Sequence, residues 1–136
     1  MKFLDTNILV YAYDTRGKTK HKKAQNILLD CWNSRSGIVS TQVLQEFYVT
    51  VTKKLPKTIP VQEAREIVKE LLSWSVYEIV PADIIAASEL EEQLKYSFWD
   101  SLIITAAQRA DANILYSEDM QDGQQIGNLK IINPFQ

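Results

Sequence analysis

The sequence predicts an α/β fold on a central, mainly parallel sheet. Three observations carry this. Short apolar runs recur from one end of the chain to the other. Segments with helical periodicity, about 10 to 15 residues long, separate them, the pattern of βαβ units. No repeat, low-complexity tract or linker interrupts the alternation, so residues 1–136 are expected to form a single domain.

The elements follow in order. Lys2 to Leu4 reads as a buried strand. Ile8 to Tyr13 is apolar enough for either a strand or a short helix, which periodicity does not separate. Ala24, Ile27, Leu28 and Cys31 recur at i, i+3, i+4 and i+7, the signature of an amphipathic helix. Gly37 to Ser40 is a second strand, and Val43, Leu44, Phe47, Tyr48 and Val51 mark the next helix. Pro56 and Pro60 bracket a turn. Ala64, Ile67, Val68, Leu71 and Leu72 give another amphipathic helix. Val76 to Val80 alternates as a strand and stops at Pro81. Two helical segments follow, about Ala82 to Tyr96 and Ser97 to Asp111, then strands at Asn113 to Tyr116 and Lys130 to Ile132. The basic run Arg16 to Lys23 reads as a mobile loop.

Composition narrows the function classes. The chain has 46% hydrophobic and 24% charged residues and a formal net charge of −2. It is not a polycation, so nucleic-acid binding would need a local basic patch. Cys31 is the only cysteine, which excludes an intrachain disulfide and points to a reducing compartment. The N-terminus lacks secretory-signal regions, and no apolar run approaches the roughly 20 residues of a membrane span. A cytoplasmic location with no membrane partner is the expectation. One His and one Cys leave too few ligands for a His/Cys zinc site. There is no phosphate-binding loop and no GxGxxG turn.

Four acids fall at matching places in this map. Asp5 follows the first strand, Glu46 lies early in the helix after the second, Asp100 opens the helix that begins at Ser97, and Asp119 follows the strand ending at Tyr116. In a parallel sheet these positions converge on the carboxyl ends of the strands, where open α/β folds bind ligands. Acids drawn together from distant segments repel unless a cation lies between them, which argues for a divalent metal such as Mg²⁺. Each acid also has a plainer reading. Asp5 is either a helix cap or part of the site. Glu46 is equally a solvated helix residue. Ser97 and Asp100 have capping-box spacing, yet Asp100 shares a face with Ile103, Ile104 and Ala107. Asp119 lies in a polar turn with Asp122 and Gly123, where Asp is common.

Other residues lean toward plainer roles. Cys31 lies on the apolar face of its helix and His21 among lysines. Arg16, Lys18, Lys20, Lys22 and Lys23 are candidates to flank the pocket and grip the phosphates of a phosphodiester strand, with Lys53, Lys54 and Lys57 as a second basic rim.

Four of these segments together carry a family likeness: Phe3–Tyr11, Val39–Tyr48, Ser97–Ile103 and Leu115–Gly123. In them the chain resembles PIN-domain proteins, and among these the VapC-type ribonuclease toxins of type II toxin–antitoxin pairs. The segments occur in the family order and span nearly the whole chain. The resemblance implies a three-layer α/β/α sandwich whose acidic pocket binds Mg²⁺ (or Mn²⁺) and cleaves RNA. It implies that Asp5, Glu46, Asp100 and Asp119 are the catalytic acids, with Asp5, Asp100 and Asp119 as metal ligands. Asn7 matches a polar residue near the pocket. Ser117 matches a strand-end hydroxyl where Thr is commoner. The widespread Asp-x-Asp-Phe ending is absent; the next acid is Asp122, and its part as a ligand stays open. A homodimer and a cognate antitoxin protein are implied as partners.

Three readings of the site follow. The first is metal-dependent hydrolysis of RNA, with metal lowering the pKa of a bound water. The second is a catalytically weak or inactive PIN-like RNA-binding module. The third is a phosphoacceptor domain, which would want paired acids after the first strand, where this chain has Asp5 followed by Thr6 and Asn7.

Overall fold

A computed structural model describes residues 1–136. Five parallel strands form the sheet: β1 (Lys2–Leu4), β2 (Gly37–Ser40), β3 (Ser75–Tyr77), β4 (Ile114–Tyr116) and, after the antiparallel β5 (Gln125–Ile126), β6 (Leu129–Ile132). Their order is β3-β2-β1-β4-β6-β5. The register sets Lys2 beside both Gly37 and Ile114, so β1 starts level with its two neighbours. Phe3 and Leu4 are consecutive and both fully buried, as are all four residues of β2. Strands buried on both faces need helices on both faces.

Those helices are α1 (Thr6–Tyr13), α2 (Thr19–Ser34), α3 (Thr41–Val49), α4 (Val61–Leu71), α5 (Pro81–Leu94) and α6 (Phe98–Arg109). The chain moves one way across the sheet from β1 to β3, then crosses back over β1 to β4. Right-handed crossovers therefore put α1 to α4 on one face and α5 and α6 on the other. α1 packs on α2 and α3, and α5 packs on α6. The result is a three-layer α/β/α sandwich whose main core runs through β1, β2, α1, α3 and α6. The reversal between β1 and β4 is a topological switch point, which opens a crevice at the strands' carboxyl ends.

The structure resolves one open reading and differs from the sequence reading at four places. Ile8 to Tyr13 resolves as helix, begun at Thr6. The basic run is not a loop: Thr15–Gly17 makes a 3₁₀ turn, Lys18 turns the chain at φ 52°, and Lys20 to Lys23 are helical in α2. The strand expected to reach Val80 ends at Tyr77. There the Ile79 amide donates to Thr41 Oγ1 at 3.1 Å and the Val80 amide to Asp83 Oδ2 at 2.9 Å, so neither extends the ladder. α3 runs on into a π turn, Thr50–Lys54, closed by Leu55 N to Thr50 O at 3.1 Å. Finally, Gly127 at φ 57°, followed by Asn128, makes the tight turn that adds β5 to β6.

Candidate metal and nucleic-acid site

A cleft of about 390 Å³ opens at the switch point. Its walls come from four stretches. The start of α1 gives Asp5, Thr6 and Asn7; α3 and the π turn give Gln42, Gln45, Glu46, Val49, Thr50 and Lys54. α6 gives Trp99, Asp100 and Ile103, and the segment after β4 gives Asp119. Gln42, Gln45, Glu46 and Val49 stand at i, i+3, i+4 and i+7, so one face of α3 delivers all four.

Asp5 is the floor. It occupies the N-cap position of α1, and its carboxylate is only 5% exposed. Thr6 N donates to Oδ1 at 2.7 Å and Ser117 Oγ donates to Oδ2 at 2.8 Å. The two readings of Asp5 are therefore compatible, because the capping residue also faces the cleft. Burial pushes its carboxyl up to about 7; the two hydrogen bonds pull the other way, and Asp100 and Asp119 push further up. No basic group of the protein neutralises it: its donors are an amide and a hydroxyl.

The other acids are tied in turn. Thr6 Oγ1 donates to Glu46 Oε1 at 2.7 Å, linking α1 to α3. Asn7 Nδ2 donates to Asp119 Oδ2 at 2.8 Å. Ser117 Oγ accepts from Asp119 N at 3.2 Å, so one buried hydroxyl fixes both Asp5 and Asp119. Asp100 N donates to Ser97 Oγ at 3.1 Å, and the same hydroxyl acts to lower the Asp100 carboxyl. Burial raises the Asp100 carboxyl, and Asp119 and Glu46 add to it; burial and then Glu118 raise that of Asp119.

The cleft thus holds four carboxylates against one ammonium, that of Lys54. Such an excess of negative charge suits a cation, and an all-oxygen donor set suits Mg²⁺ or Mn²⁺ over softer metals. No three His, Cys, Asp or Glu side chains close into a ligand cage. Mg²⁺ binds through one or two carboxylates and keeps several waters, so an open ring of acids fits it.

Several predicted residues lie elsewhere. Asp122 does not line the cleft; its Oδ1 accepts from Asn133 N at 2.8 Å and holds the C-terminal segment. The first basic rim is absent from the lining as well. Arg16 is engaged with Asp14 through Nε and Nη2, both at 3.1 Å. Lys20 pairs with Glu118 and sits over the Tyr11 and Phe135 rings, 5.2 and 5.5 Å from their centroids. Lys18, Lys22 and Lys23 are exposed outside the cleft. Of the second rim only Lys54 reaches the site.

The sequence reading also passed over Thr6, Gln42 and Trp99. Gln42 is buried; Nε2 donates to the Trp99 carbonyl at 3.2 Å, joining α3 to α6, and Oε1 has no donor. Its spacing of four residues before Glu46 was the available signal.

The comparisons agree with this architecture. A family model described as the PIN domain matches residues 2–121. No curated protein matches the sequence. Among solved structures the chain is similar to VapC20 of Mycobacterium tuberculosis, described as a Sarcin-Ricin loop cleaving toxin: TM-score 0.67, 16% identity, 88% of this chain and 90% of that one covered. It is similar to a toxin-antitoxin complex from Klebsiella pneumoniae, with TM-score 0.72, 19% identity and 98% of each chain covered. It is also similar to VapBC2 from Rickettsia felis bound to a promoter DNA fragment, with TM-score 0.65, 21% identity and 96% of each chain covered.

Proposed function

This chain belongs to the PIN-domain family, and on that premise we propose that it is a Mg²⁺- or Mn²⁺-dependent endoribonuclease, the toxin of a toxin–antitoxin pair. The observation that carries the proposal is the cleft itself: Asp5, Glu46, Asp100 and Asp119 come from four segments to one crevice with no internal cation for Asp5.

Asp5, Asp100 and Asp119 would hold one or two divalent ions, and Glu46 would contribute directly or through water. Such an ion would supply a water of lowered pKa and stabilisation of charge on phosphoryl oxygens. The protein's own part is positional. Ser117 and the Thr6 amide aim the two oxygens of Asp5, Thr6 Oγ1 aims Glu46, and Asn7 aims Asp119. Lys54 contacts a phosphate of the strand.

The reading extends to partners. Two of the similar structures are described as a toxin-antitoxin complex and as VapBC2, which supports a cognate antitoxin here. Val80, Ile84 and Ile85 expose a run of apolar side chains at the start of α5, a surface suited to a protein partner or a second copy. No helix is long and apolar enough to cross a membrane. The protein works as a single domain, residues 1–136, in the cytoplasm.

The test is cleavage of total RNA with Mn²⁺ or Mg²⁺, with chelator, and with Asp5→Asn. Metal-dependent cleavage that Asp5→Asn abolishes is expected. An active Asp5→Asn protein contradicts the assignment, and folded protein that binds RNA but never cleaves it favours the binding-module reading.

A further inference from the structure

Trp99 is the one aromatic side chain lining the cleft, and it is 61% exposed. An indole left this open beside charged groups loses the burial that large aromatic side chains ordinarily gain. The surrounding structure nevertheless fixes it. Gln42 Nε2 holds its carbonyl at 3.2 Å. The Phe98 ring meets it edge to face, centroids 5.2 Å apart at 78°. The neighbouring residue is Asp100, so the ring stands one position from a proposed metal ligand. Val49 and Ile103 are the only other apolar residues in the lining. A separate exposed apolar run lies on α5, at Ile84 and Ile85. Lys54, a cation with no acidic partner, completes the wall built by α3 and the π turn.

We propose that Trp99 is a stacking platform for an unpaired nucleobase next to the scissile phosphate, with Lys54 gripping an adjoining phosphate. The inference rests on the ribonuclease reading and sharpens it: Trp99 is the residue that holds the base beside the cut. A base held in a duplex already stacks on its neighbours and cannot lie on the indole. Stacking on one aromatic side chain also tolerates different bases, because each has a π face.

The experiment uses the full chain carrying Asp5→Asn, titrated with a short unstructured RNA and with the same RNA annealed to its complement. Quenching of Trp99 fluorescence by the single strand, far weaker with the duplex and lost in Trp99→Phe, is expected. In the Asp5 background, cleavage assays of Trp99→Ala should show KM raised about 10-fold or more with kcat little changed, and Trp99→Phe should recover much of the loss. Equal quenching by single strand and duplex, or an unchanged KM in Trp99→Ala, overturns the inference. So does a Trp99→Ala protein whose RNA affinity is intact but whose dimer dissociates in sedimentation velocity, since a protein then covers the ring. If wild type cleaves no RNA yet the single strand still quenches Trp99, the reaction fails and the platform stands. If wild type cleaves and Trp99→Ala is indistinguishable from it, the platform fails alone.

Discussion

Two carboxylates are buried in this molecule, and they are held in opposite ways. Asp83, in the first turn of α5, is 0% exposed. Arg109 Nε lies 2.9 Å from Oδ1, while the Tyr77 hydroxyl and the Val80 amide each donate to Oδ2 at 2.9 Å. Its charge is matched by the protein's own guanidinium. Asp5, 5% exposed, has only the Thr6 amide and the Ser117 hydroxyl, with two further acids across the cleft. Asp83 is complete and ties α5 to β3 and α6. Asp5 is incomplete, and the missing element is positive charge. A buried carboxylate with its own cation is structural; one without it marks where an outside cation belongs.

The comparison can be broken by exchanging the expected consequences. The largest effect is on activity. Asp5→Asn should reduce RNA cleavage by about 100-fold or more, beyond what is typical for residues that merely support a metal ligand. Asp83→Asn should leave kcat/KM within about 2-fold. Rates measured on both variants at saturating metal check this. Equal losses would mean that the two carboxylates do the same job.

Next comes pH. Unfolded, Asp5 loses its proton near 3.8; folded and metal-free, it keeps it to about 7. Between those values the native state binds more protons, so the free energy of unfolding falls as pH rises through the window and levels off above it. The drop is roughly 4 kcal/mol. Asp100 and Asp119, raised in the same direction, steepen it. Urea unfolding from pH 4 to pH 8 in chelator measures this, and in Asp5→Asn the slope should be markedly flatter.

Stability of the paired site follows. Asp83→Ala should destabilise the fold by about 2 to 3 kcal/mol, from the lost bonds to Tyr77, Val80 and Arg109. Arg109 is half-exposed, so its freed charge returns to water and the cost stays at the lower end. A shift in the urea midpoint without change of slope reads it out.

The smallest effect belongs to Ser117→Ala. Removing a bond that lowers the Asp5 carboxyl should move the rising limb of the pH–activity profile to higher pH and reduce kcat about 10-fold. An unshifted limb would remove Ser117 from the set that positions Asp5.

The contrast between the two acids was only half legible in the sequence. Asp5, Asp100 and Asp119 sit at ends of elements and Glu46 within the first two turns of its helix, so their convergence follows once the sheet is parallel. Asp83 gives no such signal. It reads as an ordinary first-turn acid after Pro81, and its partner Arg109 comes from the far end of another helix. Lys20 misled for the same reason: a lysine in a basic run looks solvated, but Glu118 and the Phe135 ring engage it across long sequence separations, with Tyr11 nearby. The π turn that brings Lys54 to the cleft has no signature in the local residue types. The Gly127-Asn128 turn carried a usable hairpin signal, but the reading placed only the strand at Lys130 to Ile132 and missed β5.

The most direct test of the difference between Asp5 and Asp83 is the thermal midpoint with and without Mn²⁺ at pH 7.5, for wild type, Asp5→Asn and Asp83→Asn. An ion bound only by the folded chain stabilises it by mass action. Wild type and Asp83→Asn should gain several degrees with saturating Mn²⁺, and Asp5→Asn much less. Equal gains in all three proteins, or none in wild type, would contradict the claim that Asp5 is a carboxylate waiting for a cation.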